Sequence, residues 1–157
     1  DYELYDYKTF LNYDSLVVLS GLTDIGNIGA IIRSAYALGI DGVIACGVRS
    51  LPLEAIVRTS TGALFDMPFA IETNIHDVMN DLKTSGFYTY GADMKGEDIR
   101  EAEIKHKKAL FLGSEGEGLS TRIVSKLDKT VSIKMSHEFD SLNVSVAGAI
   151  LMDRMRT

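Results

Sequence analysis

Two short segments carry the residues best suited to chemistry. The first is Gly113-Ser114-Glu115-Gly116-Glu117-Gly118, directly after the apolar stretch Ala109-Leu110-Phe111-Leu112. Its glycines let the backbone turn tightly and approach a ligand. Glycine loops of this kind often cradle phosphate, but Glu115 and Glu117 would face an anion at close range, and no lysine follows them. Bare backbone with carboxylates suits a neutral or cationic ligand. The second segment is Asp140-Ser141-Leu142-Asn143-Val144-Ser145-Val146-Ala147. Asp140 or Ser141 is a good N-cap, and the apolar residues that follow cover most of a helix circumference, which predicts a helix buried on most sides. Ser141, Asn143 and Ser145 bring small polar groups to its start.

A third segment lies upstream, Thr23-Asp24-Ile25-Gly26-Asn27-Ile28-Gly29-Ala30-Ile31-Ile32-Arg33, after a strand at Leu16-Val17-Val18-Leu19. At 3.6 residues per turn, Ile28, Ile31, Ile32, Ala35 and Leu38 share one face and should pack on a sheet. The opposite face is Ala30, Arg33, Ser34 and Ala37. It reads either as a close-packed surface from which one guanidinium emerges, or as an alanine-rich solvent face with a solvated arginine. A sulfonium with an amino group, as in S-adenosylmethionine, is a ligand the acidic glycine loop would accept.

With these segments in view the chain resembles the SpoU (TrmH-like) branch of the SPOUT superfamily, S-adenosylmethionine-dependent RNA ribose 2′-O-methyltransferases. Asn27, Gly29 and Arg33 match its Asn-x-Gly-x-x-x-Arg motif. Gly113, Glu115 and Gly118 match Gly-x-Glu-x-x-Gly, and Ser141 through Ala147 match Ser-Leu-Asn-Val-Ser-x-Ala. The stretch Ser60-Thr61-Gly62-Ala63 is similar to a further family signature. The resemblance covers about residues 15 to 156. Within the family, Leu19-Ser20-Gly21-Leu22-Thr23-Asp24 is most similar to bacterial enzymes that modify guanosine ribose in 23S ribosomal RNA, although tRNA-directed relatives share the three motifs. Ile25 and Lys134 stand where the family often has proline, which removes a φ constraint rather than a reactive group.

The resemblance implies several things. Gly113, Ile133 and Leu142 would hold the adenosine of S-adenosylmethionine through backbone groups, with a Gly91-Ala92 turn as another wall. Arg33 would act on the ribose hydroxyl, and Asn27, Glu115, Ser141 and Asn143 would form the shell around it. No metal is required. The C-terminal segment would form a deep trefoil knot, an exception to the rule against threading. Longer members carry an N-terminal RNA-binding domain that this chain, read as a single catalytic domain over 1–157, would lack.

These motifs need a scaffold, and the chain alternates in a way that supplies one. Strands are predicted at 16–19, 42–46, 69–72, 87–91, 109–112 and 130–133, and helices at 27–38, 52–59, 75–84, 118–126 and 141–156. That alternation predicts an α/β fold with a mainly parallel sheet flanked by helices. The single cysteine, Cys46, excludes an internal disulfide and sits in a predicted strand. His76, His106 and His137 have no metal-ligand spacing. No apolar run reaches membrane-spanning length, and a cytoplasmic location is the plain expectation.

Charge runs against the RNA reading. Lysine plus arginine is 16 against 22 for aspartate plus glutamate, a formal net charge of −6. RNA partners call for a basic face, and only Lys105-His106-Lys107-Lys108 and the group Arg122, Lys126 and Lys129 offer one. The apolar last helix beside the small-residue face around Arg33 predicts a homodimer. Two other classes stay open: a nucleotide-binding oxidoreductase, which lacks a good Gly-x-Gly-x-x-Gly, and a non-catalytic RNA-binding member of the same fold.

Overall fold

The computed structural model describes residues 2–114, 116–137 and 141–157. Six strands, β1 (Ser15–Ser20), β2 (Gly42–Cys46), β3 (Phe69–Glu72), β4 (Tyr88–Asp98), β5 (Lys108–Gly113) and β6 (Lys129–Ser132), form one sheet in the order β3-β2-β1-β5-β4-β6. Every pairing is parallel. Among the described residues, the α-helices α1 (Ile25–Ala37), α2 (Leu53–Thr59), α3 (Ile75–Thr84), α4 (Thr121–Val124) and α5 (Val144–Arg154), with short 3-10 helices at Tyr7–Phe10 and Ala63–Phe65, complete the element order.

Alternation along the central strands divides the core in two. Val17, Leu19, Val43, Ala45, Leu110 and Leu112 point to the face covered by α1, α2 and α5. Leu16, Val18, Ile44 and Phe111 point to the other, where Val78, Met79 and Leu82 of α3 meet Ile123 of α4. The predicted face of α1 is realised, with Ile28, Ile31, Ile32 and Ala35 buried. Cys46 is buried in β2, and that burial pushes its thiol up to about 12.

Four expectations need correction. The last helix is capped by Asn143, whose side chain accepts from Ser145 N at 2.9 Å, so Ser141 and Leu142 precede it; Asp140 lies outside the described residues. That helix is not buried on most sides, because Val146 and Ile150 are exposed along it and Leu142 is exposed just before it. The helix expected at 118–126 shrinks to α4, since Ser120 supplies the cap and the glycine loop occupies the residues before it. Gly91-Ala92 is no turn. Strand β4 runs on to Asp98 through an irregularity between Ala92 and Glu97.

Candidate functional site

Because the strands are parallel, their C-terminal ends share one edge, and three adjacent ones converge there. Phe111 lies level with Gly91 and Thr130 in the register of β5, β4 and β6. Beyond those residues the chain leaves the sheet in three ways. It enters the glycine loop after Gly113, makes a four-residue excursion at 93–96, and passes through Ile133 and Met135 after β6. With Ser141, Leu142 and Val144 from the start of α5, these segments enclose a cavity of about 680 Å³, within the range of small-molecule sites. A crevice outside the carboxyl ends of parallel strands is the usual ligand position in such sheets.

The glycine loop closes on itself. Ser114 and Gly118 form an antiparallel bridge, and Gly118 N donates to Ser114 O at 2.8 Å. A Cβ on Gly113 would fall 2.2 Å from the carbonyl carbon of Gly118, so only glycine fits there. Gly116 and Gly118 have left-handed φ values of 82° and 67°. Glu117 lines the cavity; Glu115 lies outside the described residues. The excursion 93–96 is pinned by Ser132 Oγ donating to Gly96 O at 2.8 Å. A Cβ on Gly96 would lie 2.6 Å from Thr130 C and Val131 N. The walls are mostly apolar, with Asp93 and Glu117 against a single lysine, Lys95. That balance disfavours a polyphosphate and accommodates a cationic or neutral ligand with an apolar body.

Beside the cavity two helix starts meet. Asn143 Nδ2 donates to Asn27 Oδ1 at 3.2 Å across 116 residues. Asn27 N in turn donates to Asp24 Oδ1, the cap of α1, at 2.9 Å. The positive ends of α1 and α5 therefore lie together, an environment that stabilises negative charge. Asn27 and Asn143 do not line the cavity, but Leu142 and Val144 on either side of Asn143 do.

The expected residues thus separate into groups. Gly113, Ile133, Ser141 and Leu142 come together around the cavity. Asn27 and Asn143 form the polar pair beside it. Arg33 stands apart, exposed on α1, its Nη1 3.4 Å from Thr61 Oγ1. Thr61 has a left-handed φ of 55°, an outlier for a β-branched residue. The turn around it is held by its neighbours. Thr59 Oγ1 donates to Ile25 O at 3.0 Å, and buried Ser60 donates to Val57 O while accepting from Leu64 N. Sequence reasoning missed Thr61 as a partner of Arg33, and it missed Asp93, Met94 and Lys95 as cavity wall. For the latter, Gly96 within a polar stretch was the available signal.

Among the described residues no group of histidine, cysteine, aspartate and glutamate is arranged to hold a metal, and no helix is long and apolar enough to cross a membrane.

Known proteins share this arrangement. A Staphylococcus aureus (strain COL) protein assigned to the TrmH family of tRNA/rRNA methyltransferases is 35% identical over 96% of the chain. The chain spans 64% of that relative's length. The SpoU methyltransferase AviRb from Streptomyces viridochromogenes, solved in complex with the cofactor AdoMet, superposes with a TM-score of 0.80. It is 31% identical, over 90% of this chain and 57% of that one. A solved RNA 2′-O ribose methyltransferase superposes with a TM-score of 0.82 at 28% identity, over 99% of this chain and 58% of that one. The model of the SpoU rRNA Methylase family matches residues 14–153, which takes in all the strands and all but the last residue of α5. The chain belongs to the SpoU rRNA methylase family.

Proposed function

We propose that this chain binds S-adenosylmethionine in the cavity and transfers its methyl group to a ribose 2′-hydroxyl of RNA, with large-subunit ribosomal RNA favoured over tRNA. The observation that carries this reading is the cavity itself. Its rim is glycine backbone, its walls are apolar, its charged groups are mainly acidic, and it lies among the segments the family motifs single out. Backbone groups at Gly113, Ile133 and Leu142 would hold the adenosine, and Asp93 and Glu117 would face the cationic end.

When bound, S-adenosylmethionine supplies a methyl carbon made electrophilic by its sulfonium. The protein must align a hydroxyl with that carbon and stabilise the charge developing on oxygen. Arg33 suits the second task, because its guanidinium stays protonated and cannot serve as a base. It orients the hydroxyl and stabilises a developing alkoxide, and an RNA phosphate accepts the proton. Asn27 and Asn143 hold the tips of α1 and α5 in register for this. The trefoil knot belongs to the same reading.

The exposed stripe Leu142, Val146 and Ile150, with half-exposed Tyr36 on α1, supports a homodimer. Arg33 lies outside its own chain's cavity lining, which fits its reaching the donor site of a partner subunit.

Calorimetry of S-adenosylmethionine against NAD tests the ligand class directly. We expect saturable binding of the first and none of the second. S-adenosylhomocysteine at a hundred times its Kd should add about 2.7 kcal/mol of stability and raise Tm accordingly. Binding of NAD alone would overturn the proposal. Sedimentation equilibrium at micromolar concentration that shows only a 17.2 kDa species would remove the dimer.

A further inference from the structure

The two basic groups of the sequence differ in how their cations are paired. Of the run 105–108, Lys105 pairs with Glu103 at 3.2 Å and His106 with Asp14 at 3.4 Å. Lys107 donates to Leu11 O, and buried Lys108 donates to Thr157 and to His106 O. Lys129 is held by Glu97 at 3.0 Å. The run 105–108 is thus engaged by neighbouring groups throughout, whereas the second group gives up only Lys129.

Arg122 and Lys126 remain, and the fold adds His76 to them. Among the described residues neither Arg122 nor Lys126 meets a carboxylate within ion-pair distance. Lys126 Nζ lies 3.1 Å from His76 Nδ1. An ammonium has only protons to offer, so Nδ1 must accept and the imidazole N–H is at Nε2. Three donors therefore share one spot, contributed by the start of α3 and by α4 and the turn after it. Desolvation, then Arg122, then Lys126 hold the His76 imidazolium pKa below its usual value, and Asp77 alone opposes them. With Asp77 as the one carboxylate acting against them, these groups favour an incoming anion even in a chain of net charge −6.

The cluster is also well placed. Leu119 lines the cavity and packs against the core beneath α3, and Arg122 follows three residues later, a chain reach of about 10 Å. We propose that His76, Arg122 and Lys126 form a contact for the phosphodiester backbone of RNA, beside the mouth of the cavity. This rests on the RNA-directed reading above and gives an acidic chain a local means of holding an anionic substrate.

The test is fluorescence anisotropy of a labelled RNA hairpin against this chain over a salt series. Arg122→Glu/Lys126→Glu should weaken binding about tenfold or more at low salt and reduce the slope of log K against log salt by about two. The control Lys8→Glu/Arg100→Glu makes the same change in net charge elsewhere and should leave the slope unaltered. Wild-type binding should tighten between pH 8 and pH 6 as phosphate draws a proton onto His76, and His76→Gln should lose that increment. The proposal is overturned if the control weakens binding as much as the cluster variant, if the cluster variant keeps the wild-type slope, or if the wild type binds no RNA at 20 mM salt, a concentration on the order used to expose electrostatic binding. Stabilisation by S-adenosylhomocysteine, measured in parallel, reports separately on the methyltransferase reading.

Discussion

Gly113 and Gly29 both lie where any side chain would strike backbone, yet they hold together different parts of the site. At Gly113 the obstacle is Gly118, five residues on in the same loop, and the result is a loop closed on itself at the cavity rim. At Gly29 the obstacle is Thr59. A Cβ there would fall 2.0 Å from Thr59 Oγ1 and 2.5 Å from its carbonyl carbon, and the result is the docking of α1 onto the end of α2. The first contact shapes the space for a ligand. The second fixes the turn that carries Thr61, and through it the position of Arg33. The shape of the cavity rim and the placing of the guanidinium therefore rest on separate packing, and either should be breakable while the other persists.

Arg33→Ala should show that separation at its largest. Transfer to RNA should fall by at least a hundredfold, on the scale of losing one aligned charge-stabilising donor, while donor affinity changes less than twofold. If Arg33 serves a partner's cavity, an Arg33→Ala chain mixed with an Asn143→Ala chain should recover part of the wild-type rate, since each heterodimer retains one composite site. Asn143→Ala also removes the cap of α5, so about 1 kcal/mol of stability goes with it. No recovery with heterodimer formation demonstrated would place the whole site in one chain.

A pair of glycine substitutions comes next. Gly113→Val should abolish the stabilisation by S-adenosylhomocysteine, because the loop can no longer close. Gly29→Ala should cost about 1–3 kcal/mol through overpacking against Thr59 yet leave that stabilisation in place, with transfer impaired. Thermal melts with and without S-adenosylhomocysteine would check both. Loss of the ligand effect in Gly29→Ala would join the two regions that the geometry separates.

How much of this was legible depends on which residues carry the information. The apolar runs Leu16 to Leu19 and Ala109 to Leu112 are local signals, and so the strands, and from their alternation with helical segments the parallel sheet, could be read directly. Gly113 and Leu142 were legible only because a glycine loop after a strand and small polar residues before an apolar helix, each common alone, occur here together with the Asn27 to Arg33 segment. The cap at Asn143 was misplaced because Asp140, Ser141 and Asn143 are all competent caps. Asn143 is the residue whose side chain accepts from Ser145 N, and it also donates to Asn27, 116 residues away. The excursion 93–96 and the Arg33–Thr61 contact were hidden because each depends on a neighbour distant in sequence. The spread of Lys105 to Lys108 over separate internal partners was also beyond a linear reading.

The smallest expected effect bears on Thr61. A β-branched residue at φ 55° is strained, and such positions persist only where the surroundings impose them. Here Thr59 is wedged against Gly29 and Ser60 is buried and doubly bonded, while Gly62 at φ 83° continues the left-handed turn. Thr61→Gly removes the strain but adds freedom to the unfolded chain, so the two effects partly cancel. A net gain of about 0.5–1 kcal/mol, or about 1–4 °C in Tm, is expected. The same change deletes the oxygen 3.4 Å from Arg33 Nη1 and leaves the guanidinium less confined. Transfer should then drop several-fold while donor binding is unchanged, and Thr61→Ser, which keeps the hydroxyl, should retain most of the rate. A Thr61→Gly chain that melts lower than wild type would mean that the turn depends on the threonine for packing. A chain that melts higher at full rate would mean that Arg33 is positioned without it.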